Sequence, residues 1–115
     1  MSEQSIEQEI IAKGLTAPRI TPSDIEANIA YEVTFTAADG VCGNQMQAIP
    51  TTPELNCLTF CVIVLKNGFT VTGESACASP ENFDWEIGKK IARQNAVAKI
   101  CPLMGYALRS KLAEI

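Results

Sequence analysis

The 115-residue sequence contains no histidine, a single tryptophan and five cysteines without a Cys-x-x-Cys pair. Without histidine, neither a Ser-His-Asp nor a Cys-His catalytic arrangement can form, and the common zinc-ligand spacings are missing. We therefore expect the cysteines to be reduced thiols that act as small hydrophobic core side chains, with no metal and no other cofactor. The composition predicts a protein that is not an enzyme.

Long apolar runs and phosphate-binding glycine motifs are also missing. No apolar run approaches the roughly 18 residues of a membrane span, and the first residues lack the basic start and apolar segment of a secretory signal. The glycines fit none of the phosphate-cradling spacings. We expect a cytoplasmic protein without a membrane, built as one domain over residues 1–115, because 47% hydrophobic content is enough for a core at this length.

Residues 58–75 have the pattern of a β-hairpin. Both faces of the first strand are largely apolar, which predicts a central strand, whereas the returning strand alternates and is predicted to be half solvated. Asn67-Gly68 favours a tight type I′ turn between them. With a further strand over about residues 30–37, the pattern predicts a small antiparallel sheet within residues 30–78.

Helical patterns flank the sheet at both ends of the chain. Residues 1–29 predict an arm of short helices, and residues 79–115 predict two helices that pack against the sheet. Residues 40–55 have neither pattern and are either a functional loop or a crossover connection. The fold class predicted from the sequence is therefore α+β.

The first C-terminal helix carries two rows of side chains at helical spacing. We expect Ser79 or, alternatively, Asn82 to cap it. Its predicted apolar face consists of Phe83, Ile87, Ile91 and Ala98. The neighbouring row of small residues consists of Gly88, Ala92 and Ala96. Because glycine inside a helix costs roughly 0.5–1 kcal/mol relative to alanine, this row predicts close packing on another backbone or a ligand.

The charge is divided unevenly along the chain. Residues 1–81 have three basic and ten acidic side chains, whereas residues 82–115 have six basic and three acidic ones. The basic helices are either a solvated face or a site for a small phosphorylated ligand. Binding to nucleic acid is not expected, because duplex DNA needs a broad basic footprint.

Three motifs resemble a family of small tailed-phage and prophage proteins named after a gene product 49. The motifs are LTFCVIVLKNGFTVTGESACASPENFD, IGKKIARQNAVAKI and PLMGYALRSKL. The predicted sheet with two C-terminal helices is also similar to the Thoeris anti-defence type-one sponges. Those phage proteins bind and sequester cyclic ADP-ribose isomers, and sometimes cyclic oligonucleotides, and they are oligomers with sites between subunits.

This resemblance implies a homo-oligomeric, non-catalytic protein that binds a small cyclic nucleotide in the host cytoplasm. Phe83 would stack on the base, or would belong to the core as a continuation of the apolar helix face. Gln94 and Asn95 would read the edge of the base. The phosphate-binding residues would be Lys90, Arg93 and Arg109. The alternatives are a phage protein that inhibits a host enzyme through a protein surface, which the acidic N-terminal part favours, and a DNA-associated accessory protein.

Overall fold

A three-stranded antiparallel sheet forms the centre of the computed structural model, which describes residues 3–15, 17–43 and 50–114. The strands are β1 (Ile29–Thr36), β2 (Leu58–Leu65) and β3 (Thr70–Ala76), in the order β1-β2-β3. β2 is central, as predicted, and it alternates between fully buried and half-buried side chains. β3 alternates between buried and exposed positions over most of its length, as expected of a half-solvated strand.

Helices precede and follow the sheet, which confirms the predicted α+β class. The α-helices of the described residues are α1 (Glu3–Ala12), α2 (Pro22–Ala27), α3 (Ala37–Cys42), α4 (Trp85–Ala98) and α5 (Ile100–Ala113). Two short 3₁₀ helices, η1 and η2, cover Pro53–Cys57 and Pro80–Asn82. Only Lys99 separates α4 from α5, so the two helices form one long bent element. No helix in the described parts of the chain combines the length and the apolarity that a bilayer span requires.

Two threonines cap the N-termini of short helices with the same hydrogen-bond motif, a capping box. The Thr21 hydroxyl accepts from the N–H of Asp24 at 3.1 Å, and the Asp24 carboxylate accepts from the N–H of Thr21 at 2.9 Å. Thr36 and Asp39 repeat this capping box at the start of α3, at 3.1 and 3.0 Å. The segment predicted to be irregular therefore begins within α3 and ends within η1, and its residues 44–49 lie outside the described residues.

The turn of the hairpin is not the predicted type I′ turn. A type I′ turn needs positive φ at both central residues, but Asn67 does not have it and Gly68 does, with φ of 90°. The N–H of Leu65 donates to the carbonyl of Phe69 at 2.8 Å, and the N–H of Gly68 donates to the carbonyl of Leu65 at 2.9 Å. These bonds close a three-residue loop, which requires a single left-handed residue.

The helix α4 begins later than predicted. Its cap is Asp84, whose carboxylate accepts from the N–H groups of Glu86 at 2.9 Å and Ile87 at 3.2 Å. Of the two predicted caps, Ser79 instead precedes η2 and Asn82 is its last residue. The prediction failed because Pro80 starts a single 3₁₀ turn, and a carboxylate at the following helix start satisfies the free N–H groups better.

The face that α4 packs on the sheet is its row of small residues. Ala92 and Ala96 have no exposed surface. A Cβ placed on Gly73 of β3 would lie 2.2 Å from the backbone nitrogen of Ala96 and 2.3 Å from the carbonyl oxygen of Ala92, so helix and strand backbones are in contact there. The predicted apolar face is wrong for this reason: Ile87 and Ile91 are too bulky for such a contact and are 56% and 40% exposed.

The buried core lies between this helix, the sheet and α2. Its members are Ile25, Cys61, Ile63, Leu65, Val71, Ala92, Ala96, Val97 and Ile100. The expectation that the cysteines serve as core side chains holds for Cys57 and Cys61. It fails for Cys42 and Cys101, which are exposed, and Cys77 is half-buried. Burial raises the pKa of the Cys61 thiol.

The close contact between α4 and β3 predicts a steep cost for the smallest possible side chain at Gly73. We expect Gly73→Ala to lower the free energy of unfolding by about 3 kcal/mol or more, because two backbones must separate to admit the methyl group. Gly105→Ala in α5 is the control, since its Cβ would meet nothing within 4 Å, and it should raise stability by about 0.5–1 kcal/mol. Urea unfolding of both variants checks this, and equal stabilities would contradict the packing described.

Candidate functional site

Arg93, one of the predicted phosphate ligands, is held by two carboxylates on one flank of α4. Its Nε lies 3.1 and 3.2 Å from the carboxylate oxygens of Glu32 on β1. Its terminal nitrogens lie 3.2 and 3.0 Å from those of Glu26 on α2. The two carboxylates raise the pKa of the guanidinium, so the group stays charged. Arg93 therefore joins three elements of the fold.

Asn95, a predicted reader of the base, lies on the opposite flank of α4. Its side-chain nitrogen donates to the backbone carbonyl of Glu74 at 2.8 Å. β3 is an edge strand, and the pairing places this carbonyl on the side that faces away from β2. The amide thus provides a partner for a carbonyl that β2 does not reach.

Phe83 lies in the link between η2 and α4 and is half-buried. A Cβ placed on Gly88 would lie 3.3 Å from its ring and 3.0 Å from the hydroxyl of Thr59, so the ring covers the first turn of the helix. The Thr59 hydroxyl is buried and has no hydrogen-bond partner in the described structure. Phe83 thus packs partly on the helix and partly faces solvent, which leaves both predicted roles open.

Lys90 and Gln94 lie on the outer face of α4 and are exposed. At a separation of four residues they are neighbours, with Cβ atoms about 5–6 Å apart. Ile87 and Ile91 share this face and are also exposed. The outer face of α4 therefore combines a cation, an amide and apolar surface.

The basic side chains of the described residues fall into two groups. Lys13, Arg19 and Arg93 form ion pairs with carboxylates. The remaining ones have no carboxylate partner within the described ranges. They are Lys66, Lys89, Lys90, Lys99, Arg109 and Lys111. Five of these six lie on α4, on α5 or between them, so the positive charge that is free of internal pairing is concentrated at this end of the chain.

Arg109 is exposed on α5, which starts where α4 ends. The cleft beside α5 is lined by Leu65 and Phe69 of the hairpin together with Leu103 and Ala107, so α5 lies near the turn of the sheet. Phe83 lies near the other end of β2, and a 14-residue helix is about 21 Å long. The structure brings Lys90 and Gln94 together, but within one chain it does not gather all six predicted residues around one ligand.

An open apolar sheet face is the feature that the sequence reasoning missed. On the side of the sheet opposite α4, Tyr31 is 61% exposed and Val33 is 36% exposed. Val33 pairs with the half-buried Val62, and the rings of Phe35 and Phe60 are 5.9 Å apart. The signal was available, because both faces of β2 are apolar and only one face can receive α4.

Comparison with known proteins identifies a family. The sequence profile described as the phage protein (N4 Gp49/phage Sf6 gene 66) family matches residues 20–112. The match covers the whole sheet and α2 to α4, and it includes all six predicted ligand residues. No curated protein matches the chain, and no solved structure matches it.

Neutralising a paired cation and neutralising an unpaired one should change stability by different amounts. We expect Arg93→Gln to lower the free energy of unfolding by about 1 kcal/mol at low salt, because it leaves Glu26 and Glu32 side by side without a cation. The loss should shrink in about 1 M salt, which screens exposed charges. Lys90→Gln is the control and should change stability by less than about 0.5 kcal/mol. Urea unfolding at the two salt concentrations decides, and a larger loss for Lys90→Gln would contradict this assignment.

Proposed function

The chain belongs to the phage protein (N4 Gp49/phage Sf6 gene 66) family, and we propose that it is a phage-encoded, non-catalytic protein that sequesters a cyclic nucleotide. The proposed ligand is an immune signal of the host, a cyclic ADP-ribose isomer or a cyclic oligonucleotide. The protein would act stoichiometrically in the host cytoplasm and would counteract an anti-phage defence.

The observation that carries this proposal is the unpaired positive charge of α4 and α5. Lys89 and Lys90 on α4 and Arg109 and Lys111 on α5 are exposed and have no carboxylate partner in the described structure. Such groups are free to form charge-assisted bonds with phosphate oxygens. The acidic balance of residues 1–81 favours the approach of an anion to this end of the molecule over the other.

The proposed roles follow from the position of each side chain. Phe83 offers the exposed part of its ring for stacking on a base, Gln94 offers an amide to the edge of the base, and Lys90 and Arg109 bind phosphate. Arg93 and Asn95 make the internal contacts described above. They therefore contribute to ligand binding by fixing the position of α4 and through the donors and acceptors that these contacts leave free.

A second copy of the chain is part of the proposal, because Phe83 precedes α4 and Arg109 follows it, and the 14-residue helix between them is about 21 Å long. In a homo-oligomer, Phe83 of one subunit and Arg109 of another would complete a shared site.

A thermal-shift titration tests the proposal. At one hundred times its dissociation constant, a cyclic ADP-ribose isomer should stabilise the protein by about 2.7 kcal/mol, and the nucleotide should be recovered intact after heating. Arg109→Ala and Lys90→Ala should weaken binding. Lys13→Ala is the control that should bind normally, because Lys13 is ion-paired with Glu9 of α1. No stabilisation by any cyclic nucleotide would refute the proposed function.

The open sheet face favours a second candidate, a module that binds and inhibits a host enzyme. Tyr31 and Val33 present exposed apolar surface on this face, which suits a protein partner better than a nucleotide. Capture of a host enzyme by the wild-type protein, its release by Tyr31→Ser, and no retained nucleotide would favour this candidate over the first.

A further inference from the structure

Cys57 and Cys77 face each other at the end of the sheet where η1 leads into β2. The register pairs Leu58 with Ala76, which places the two cysteines directly opposite one another. The N–H of Cys77 donates to the carbonyl of Cys57 at 3.0 Å, so the ladder extends to this pair. Opposite residues of a hydrogen-bonded antiparallel pair have Cα atoms about 5.5 Å apart and side chains on the same face. Disulfides span Cα separations of about 4.4–6.8 Å.

The two thiols differ in their exposure. Cys57 is 5% exposed and its sulfur lies 3.8 Å from the carbonyl oxygen of Pro53. Cys77 is half-buried and its sulfur lies 3.1 Å from the carbonyl oxygen of Ser79. Burial raises the pKa of the Cys57 thiol, and electrostatic repulsion from the neighbouring Cys77 raises it further. Cys77 is therefore the thiol that meets a soluble oxidant first, and Cys57 is the one that resolves the product.

We propose that Cys57 and Cys77 are a redox-sensitive pair that closes into a cross-strand disulfide in the presence of a peroxide. In the first step, the Cys77 thiol releases its proton and the thiolate attacks one peroxide oxygen. The O–O bond breaks, and the leaving hydroxide takes up that proton, so a sulfenic acid and one water form. In the second step, the Cys57 sulfur attacks the Cys77 sulfur, the S–O bond breaks, and the departing hydroxide takes up the proton of the Cys57 thiol to give a second water. The two thiols lose two electrons in total, and the peroxide gains them.

The disulfide would join η1 to the connection between β3 and η2. This connection leads to Phe83, six residues after Cys77, so the bond would restrain the segment that presents the ring. Side chains of a hydrogen-bonded cross-strand pair are about 5 Å apart at Cβ, which is wider than most disulfides prefer. The bond is therefore strained and readily reduced by thiols, as reversible disulfides are.

The test uses the full chain with Cys42→Ser and Cys101→Ser, which remove the two exposed thiols that would link separate molecules. After treatment with hydrogen peroxide, the intact mass should fall by two hydrogen atoms. Peptide mapping without reductant should show Cys57 linked to Cys77. The melting temperature should rise by several degrees, and dithiothreitol should reverse both changes.

A third substitution in the same background, Cys77→Ser, is the matched control and should abolish the linked peptide. After peroxide treatment, the protein is unfolded and its free thiols are alkylated. The proposal is overturned if Cys57 is alkylated and Cys77 carries a sulfinic or sulfonic acid. It is also overturned if the linked peptide contains Cys61 in place of either cysteine. Because no nucleotide is needed, the outcome is independent of the proposed ligand.

Discussion

The contact between the backbones of α4 and β3 at Gly73 is the constraint on which the rest of the structure depends. Because Gly73 has no side chain, the helix comes close enough for Ala92 and Ala96 to lose all exposed surface. This approach fixes the rotation of α4 about its own axis. Arg93 then points to β1 and α2, and Asn95 points to the edge of β3. The outer face of α4, with Lys90 and Gln94, is then left exposed for contact with other molecules.

The electrostatics of the fold follow from the same rotation. The charge of Arg93 on the flank of α4 is compensated within the fold, because carboxylate oxygens of Glu26 and Glu32 lie within 3.2 Å of its guanidinium. The cations on the outer face of α4 and on α5 are exposed and have no carboxylate partner in the described residues. A chain with a net charge of −4 thereby keeps a positive end that can attract an anion.

The sequence predicts features that depend on neighbours along the chain. The central position of β2, the half-solvated pattern of β3 and the row of small residues in α4 all have local signals. Two errors are local, at the turn of the hairpin and at the start of α4, and the others arise where a distant element decides. The bulk of Ile87 and Ile91 suggested a buried face, but Gly73, on a different element, selects the small row. The partners of Arg93 are 61 and 67 residues away in sequence, so its internal role could not be predicted from α4 alone.

Backbone amide spectra of the ¹⁵N-labelled protein, recorded during titration with a cyclic ADP-ribose isomer, test the central claim most directly. The claim predicts saturable shifts at Lys90, Gln94 and Arg109, while the resonances of the ligand show that it stays intact. Shifts confined to Tyr31 and Val33 on the open sheet face, or no shifts at all, would contradict it.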